Sequence, residues 1–522
     1  MDPSCNLVGG EAIAASHMNG GHLGRSRLIV AGVVWNFLGQ GWLLLIAFVA
    51  TPYVVAKLEA DLYGVYSLSG IVLSYFAFVD FGLSAAATKY ISQYLAEEKE
   101  EEIATSFWTC LVWLITGGVG CALLVMFLAE PVVSHLLSIP PRLQSVTITT
   151  LRISALTFCC SLCVGLTTGT LRSLGRFSVL NLTSLLVGTA QTLGTVGLLW
   201  RGYSLFEVML LILLCQAGLF VWQLALCVRL LPILKRPRLN REAVLRLFRY
   251  GGVLTLGSVT GPVLANIEKL LMTRYTSVGL LTFYAVPFSL VDRLGIIPTA
   301  FGAVLFPSYS YFHSLDREAN RTLHYRGTLY IVAVYGVFAS FFIILGTPFL
   351  RAWMGDEFAA QSAGVLSILA LGGMFNAMAR PAITALQGIG KPHVPVLLHA
   401  TELVWYLPLV YILVKSFGIT GAAWAWCLRV LVDTSLLHAA SCMELQERPG
   451  AYVRLLKAAS GPIIVCSAAF TAVWALGLPL NTPAAAGAIV LTCAVYALLV
   501  WWKVMDPRTK DTIVSLWGTG RT

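Results

Sequence analysis

The sequence predicts an all-α polytopic membrane protein of about fourteen transmembrane helices, in two six-helix lobes followed by two carboxyl-terminal helices. Three observations lead there. Hydrophobic residues make up 57% of the 522 residues and charged residues 11%, with a mean hydropathy of +0.79, so a water-soluble chain of this length would lack the polar surface to cover itself. The apolar residues fall in continuous runs of roughly 20, the length that crosses about 30 Å of hydrocarbon, whereas a β-barrel would alternate along each strand. The hexapeptide Leu171-Arg172-Ser173-Leu174-Gly175-Arg176 returns as Leu386-Gln387-Gly388-Ile389-Gly390-Lys391, an offset of 215 residues, each time between two long apolar segments. Gly202 and Gly418 repeat at an offset of 216, and Tyr66 and Tyr284 at 218. Several matches at nearly one offset over six consecutive segments indicate an internal duplication.

In chain order the apolar runs lie near 28–55, 63–88, 104–128, 147–171, 178–200, 204–228, 250–272, 279–306, 328–348, 361–386, 394–414, 419–441, 456–478 and 484–503. Residues 1–26 lack the basic start and apolar centre of a cleaved signal and read as a disordered cytoplasmic tail. Residues 27–229 hold helices one to six. Residues 230–249 form a basic amphipathic linker, with Lys235, Arg236, Arg238, Arg241, Arg246 and Arg249 around Leu239, Val244, Leu245, Leu247 and Phe248. It should lie along the inner headgroups, as a tether between the halves or as a regulatory or recruiting element. Residues 250–441 hold helices seven to twelve, and 442–522 the last two helices and a cytoplasmic end. Six helices per half preserve orientation, so the halves should superpose by rotation about the membrane normal.

Most of the 35 Lys and Arg residues fall on the segments that are inner if the amino terminus is inside, and the outer segments carry only Lys57, Arg142, Arg152, Arg201, Arg274, Arg351 and Lys415. That bias places both termini in the cytoplasm, in the inner membrane of the cell. The net charge of +10 is thus a topology signal with some attraction to anionic lipid, and no aromatic and basic pattern suggests nucleic acid as a partner. Of the twelve cysteines the one close group, Cys159, Cys160 and Cys163, lies inside an apolar run, where small buried residues are the expected reading and no metal is. The sequons at Asn181 and Asn320 fall in the membrane and on the cytoplasmic side, away from glycosylation.

Functional residues are sought where charge is buried at a cost of roughly 3 kcal/mol each. Asp292 and Arg293 sit mid-way along the eighth run and point about 100° apart, so Arg293 is either a cavity-lining cation or the partner of a carboxylate on another helix. Arg429 and Asp433 share one face of the twelfth helix, as a packing pair or a ligand contact. Arg380, before Pro381, reaches either the inner phosphates or the cavity. Glu402 has no partner at the favoured spacings on its own helix and is the candidate ion-coupling site for Na+ or H+, a role that pairing with Arg380 or Arg429 would remove. Glu268 and Lys269 read as interfacial. Asn36 and Gln40 share a face suited to cavity lining or interhelical hydrogen bonding. Asp80 and Gly82 mark a gate or bend near the inner end of helix two.

No nucleotide-binding loop of the form Gly-x-x-x-x-Gly-Lys-Ser/Thr occurs. Nor is there a large extramembrane loop or acidic metal motif of the kind a membrane glycosyltransferase needs. The expectation is a secondary transporter without cofactor, and not an enzyme.

The segment Leu62-Tyr63-Gly64-Val65-Tyr66, followed by Phe78-Val79-Asp80-Phe81-Gly82-Leu83-Ser84-Ala85-Ala86 and Lys89-Tyr90-Ile91, resembles the second helix of the polysaccharide flippases, the O-antigen-type transporters of the MATE-like superfamily. Ile267-Glu268-Lys269-Leu270-Leu271 resembles the family's acidic-basic pair in helix seven, and Phe283-Tyr284-Ala285-Val286-Pro287 with Leu305-Phe306-Pro307-Ser308-Tyr309 its helix eight. The resemblance implies two MATE-like lobes around a cationic central cavity, alternating access, and undecaprenyl-diphosphate-linked oligosaccharide as cargo, moved from inner to outer leaflet beside membrane lipids and polysaccharide polymerase machinery. The rival cargoes are lipid II, disfavoured because helix one carries no arginine beyond Arg25 and Arg27, and the organic cations of multidrug antiporters, disfavoured by Arg293.

Overall fold

The computed structural model describes residues 22–137, 139–240, 260–313, 315–447 and parts of 450–501, with side chains from residue 39 onward. The expected tail up to residue 21, linker residues 241–249, the start of helix seven, most of helix thirteen and the end of the chain after 501 lie outside the described residues. Among the described residues all regular structure is helical: α1 His22–Ser74, a 3-10 stretch Tyr75–Asp80, α2 Leu83–Ala96, α3 Glu100–Pro131 with a π turn Val132–Leu136, α4 Pro141–Ser173, α5 Phe177–Trp200 and α6 Leu205–Leu230. There follow α7 at 260–275, α8 Val278–Arg293, α9 Ile296–His313, α10 Arg317–Met354, α11 Asp356–Gly388, α12 His393–Glu444 and α13 Pro483–Leu499.

Nine described segments are long and apolar enough to cross a membrane, and the expected count of fourteen is not reached among them. Part of the difference is continuity. α1 has 53 residues and α12 has 52, which at 1.5 Å per residue is far more than one crossing needs. Each is broken where the sequence places a boundary, at Glu59 (φ 59°, ψ 167°) and at Gly418 (φ 58°, ψ −130°). Conversely, two runs expected to be continuous are interrupted. The second breaks at Phe81 and Gly82, both in the left-handed region, so Gly82 makes a bend there. The eighth breaks between Arg293 and Ile296.

An interruption inside an apolar stretch must satisfy its own backbone. At the second break the N–H of Leu294 turns back to Val291 and Asp292, and the N–H of Gly295 donates to the Asp292 carbonyl at 2.9 Å. The Tyr335 hydroxyl on α10 donates to the Val291 carbonyl at 3.2 Å. The Thr299 hydroxyl donates to the Gly295 carbonyl at 2.7 Å.

The duplicated hexapeptides adopt one turn. α4 and α11 each end in a left-handed glycine, Gly175 (φ 68°) and Gly390 (φ 81°). In both, the glycine N–H bonds three residues back and the next N–H five back: Gly175 to Arg172 and Arg176 to Leu171, Gly390 to Gln387 and Lys391 to Leu386. This Schellman closure needs a residue free of a Cβ at the left-handed position, which is why glycine recurs there. Lys391 then pairs with Glu444.

The chain forms two compact units, one of Met1–Val54, Leu83–Gly120 and Leu156–Gly251, the other of Val55–Gly82, Cys121–Ala155 and Gly252–Thr522. In the first, buried polar groups join helices: Thr167 and Thr168 of α4 donate to the Gln223 side chain of α6 at 2.7 and 3.1 Å, and Ser173 of α4 donates to the Thr88 carbonyl of α2 at 2.9 Å. In the second, α11 packs between α10 and α12. Its alanines 379, 382 and 385 lie against Leu305, Tyr309 and Leu437, since small side chains let apolar helices approach closely.

Candidate functional site

The second unit buries a group of charges where α7, α8 and α12 meet. Glu268 is fully buried and Lys269 nearly so, which corrects their reading as an interfacial pair. The partners that make burial tolerable come from elsewhere in the chain. The hydroxyls of Tyr284 on α8 and Tyr406 on α12 donate to the two Glu268 oxygens at 3.4 and 3.2 Å. Lys269 Nζ is 3.4 Å from Glu268, donates to the Ala265 carbonyl at 2.6 Å and Asn266 Oδ1 at 2.8 Å, and sits 3.6 Å above the Phe288 ring. An ammonium so held has all three protons engaged.

Tyr406 joins this group to a second one. Its ring lies under the Arg429 guanidinium at 5.6 Å, and Arg429 Nη1 donates to Glu402 Oε2 at 3.3 Å. Arg429 and Asp433, one turn apart, therefore do not pair with each other. Both reach residues of α12 on the other side of its break at Gly418, Arg429 to Glu402 and Asp433 to His399, whose Nε2 is 3.3 Å from Asp433 Oδ1 without hydrogen-bond alignment. Glu402 thus has the very partner that was expected to remove its coupling role. Asp433 neighbours Glu402 but makes no ion pair with that guanidinium. Glu402 Oε1 and Asp433 Oδ1 are both buried with no hydrogen-bond donor, and so is the Arg429 Nε–H. Two acceptors in that state lack a proton or a cation.

The break after α8 separates Asp292 from Arg293. Asp292 lines a cavity of about 240 Å³ with Arg380, Asn376, Tyr335, Thr299 and Trp426, bringing two of the expected residues to one place. A Cβ at Gly373 would stand 2.5 Å from Val291 Cγ1 and 2.6 Å from the Tyr335 hydroxyl, so that glycine lets α11 close over the cavity. Arg293 points elsewhere, half-buried and within electrostatic reach of Tyr63 and Tyr66. Among the described residues no ion pair or hydrogen bond engages its guanidinium.

Asn36 lies in α1, but its side chain falls outside the described residues. Gln40 is exposed on α1 and Asp80 is half-buried at the end of the 3-10 stretch. Both are engaged by neighbours. Sequence reasoning missed Tyr284, Tyr406, His399 and Tyr335. The resemblance quoted Tyr284 without a role, and only aromatic hydroxyls within buried runs could have flagged the others. Among the described residues metal-type side chains converge once, at His324, Cys442 and Glu447, apart from these groups.

Residues 29–313 match the family described as "Polysaccharide biosynthesis protein". The chain belongs to this family. It is similar to a protein of Shigella flexneri described as "Putative O-antigen transporter", at 24% identity over 424 residues, covering 78% of this chain and 97% of that one. Among solved structures it resembles an inward-facing multidrug resistance MATE family transporter of the MOP superfamily, with a TM-score of 0.68 at 14% identity over 77% of this chain and 94% of that one. It also resembles the lipid II flippase MurJ in an inward closed conformation, with a TM-score of 0.69 at 12% identity over 91% of this chain and 99% of that one. The protein is therefore an integral membrane protein with the MATE-like transporter fold, an O-antigen transporter homologue whose relatives are named as transporters and a flippase rather than as enzymes.

Proposed function

We propose that this protein flips undecaprenyl-diphosphate-linked oligosaccharide from the inner to the outer leaflet of the cytoplasmic membrane by alternating access, supplying cell-surface polysaccharide synthesis. The observation that carries the reading is Arg293: a guanidinium within an apolar membrane-spanning stretch, with two tyrosines near it and no carboxylate paired to it among the described residues. A cation left so at a cost of several kcal/mol is suited to an anion that arrives with the cargo. A diphosphate offers the bidentate oxygens that guanidinium prefers, and neither phosphate crosses hydrocarbon unaided. The MATE-like fold is shared by multidrug and lipid II transporters, so the cargo assignment rests on family membership and on this arginine. Asp292 and Arg380, in the adjoining cavity, are assigned to the sugar-phosphate moiety.

The Glu402–Asp433 pair is assigned to coupling. Glu402 and Asp433 each keep a buried oxygen without a hydrogen-bond donor, and one proton or one Na+ between them would engage both. The test is flipping of lipid-linked oligosaccharide in proteoliposomes at matched protein levels. Arg293→Ala and Arg293→Lys should both be impaired while remaining folded, since charge without the planar fork does not suffice. Normal flipping by folded Arg293→Ala protein would end the proposal. Glu402→Gln should abolish the dependence on the ion gradient, and retention of that dependence would end the coupling assignment.

A further inference from the structure

The start of α10 and the end of α12 are joined by a knot of side chains that neither the cargo nor the coupling reading uses. His324 Nδ1 lies 2.7 Å from Glu447 Oε1, and Cys442 Sγ lies 3.6 Å from Glu447 Oε2. The three ligand atoms are all within 4.8 Å of one another. His324 is buried, whereas Cys442 and Glu447 are only half-buried, which leaves an approach from solvent.

The hydrogen bonds around the imidazole make its position chemically specific. Ser441 Oγ lies 3.0 Å from the His438 carbonyl and 3.3 Å from His324 Nε2, so a hydroxyl holds the far nitrogen of the ring while Nδ1 faces Glu447 Oε1 at 2.7 Å. A far nitrogen held by a hydrogen bond is also how metal sites orient their histidines.

The geometry points to a site for a late first-row divalent cation of the zinc type, held by His324 Nδ1, Cys442 Sγ as thiolate and a Glu447 oxygen, with a fourth position open. Zinc takes nitrogen at about 2.0 Å, thiolate at about 2.3 Å and carboxylate at about 2.0 Å in a tetrahedron, which sets ligand atoms roughly 3.3 to 3.7 Å apart; the sulfur already stands 3.6 Å from Glu447, and the imidazole at 2.7 Å would draw back by about half an ångström to admit the ion. Sulfur and imidazole together select against Mg2+ and Ca2+, which take oxygen. Arg321 of α10 already binds the carbonyls of Leu445 and Gln446 at 3.0 and 2.6 Å. A bound ion would complete the attachment of segment 445–447 to α10 and so regulate how firmly α12 leads into the chain beyond it.

The experiment uses the purified full-length protein in detergent, stripped with chelator and titrated with Co2+ and then Zn2+. One equivalent of Co2+ should bind with a thiolate-to-cobalt charge-transfer band, be displaced by Zn2+, and raise the melting temperature. The band should vanish in Cys442→Ser, and Glu447→Gln should weaken binding at least tenfold, both variants melting like the metal-free parent. The chain has twelve cysteines, so a band that persists unchanged in Cys442→Ser overturns the assignment, as does absence of stoichiometric binding in the parent. Should Cys442→Ser misfold, unchanged Co2+ affinity in the Glu447→Gln protein overturns it equally.

Discussion

Replacing Arg429 by Gln tests the buried charge group most directly. Its Nη1 is 3.3 Å from Glu402 Oε2, and at an effective dielectric constant of about 20 two unit charges at that distance attract by roughly 5 kcal/mol. The stack on Tyr406 adds on the order of 0.5–2 kcal/mol. Desolvation of the arginine offsets part of this, but removing it leaves Glu402 and Asp433 facing each other with no fixed cation, and breaking a buried pair from one side costs about 3–5 kcal/mol. Glu402→Gln should behave differently. It leaves one carboxylate for one guanidinium, so its cost should stay near 1–2 kcal/mol, the loss of one charge-assisted hydrogen bond. The double variant Arg429→Gln/Glu402→Gln should then be more stable than the sum of the singles by about 2 kcal/mol or more. Equilibrium unfolding of the four proteins in mixed micelles measures this cycle. Additivity within about 0.5 kcal/mol would show that the two side chains do not interact and would refute the reasoning.

Three further outcomes follow from backbone and packing. Gly175→Ala and Gly390→Ala should each lower stability by about 1–2 kcal/mol, because each glycine is left-handed at the same Schellman position; a neutral result for either in thermal unfolding would contradict the shared turn. Tyr335→Phe removes the hydroxyl on the Val291 carbonyl and should cost about 1–3 kcal/mol without a change in helix content by circular dichroism. Gly373→Ala places a methyl group 2.5 Å from Val291 Cγ1 and should cost about 1–3 kcal/mol by overpacking, so that a variant melting like the parent would mean that α11 stands farther from α8 than described.

Fold class and the repeated turn were legible because both depend on local signals, apolar length for the spans and a glycine-bearing hexapeptide for the turn. The bend beside Asp80 was legible in Gly82, but the break after Arg293 was not legible as a break. Hydropathy runs unbroken through both, and what permits an interruption at Gly295 is a hydroxyl from Tyr335, 40 residues away on α10. Charge in the membrane was legible one residue at a time, but pairing was not. The four-residue spacing of Arg429 and Asp433 suggests mutual attraction, whereas each side chain engages a residue about 30 positions earlier that the break at Gly418 brings back alongside. Glu268 and Lys269 lie near the end of a hydropathy run and so look interfacial. Only the hydroxyls of Tyr284 and Tyr406 reveal that they are interior.

Tyr406 touches both buried groups. Its hydroxyl donates to Glu268 while its ring lies against Arg429, so on the proposed function a motion of Arg429 that follows a change of charge at Glu402 or Asp433 would bear on the ring, and with it on a donor to Glu268. Glu268 holds Lys269, and Lys269 sits on Phe288 of α8, five residues before Arg293. On the proposed function, a cation captured by the carboxylate pair would thus be sensed on α8 through four contacts, from Arg429 to Tyr406, Glu268, Lys269 and Phe288. Coupling of this kind requires a two-state element rather than a chain of contacts alone. α8 is suited to be that element because it already ends inside the apolar stretch, where its last carbonyls depend on Tyr335 and on a turn of two residues. On the proposed function, the ion would act on this short helix at Phe288 and the cargo at Arg293, five residues on.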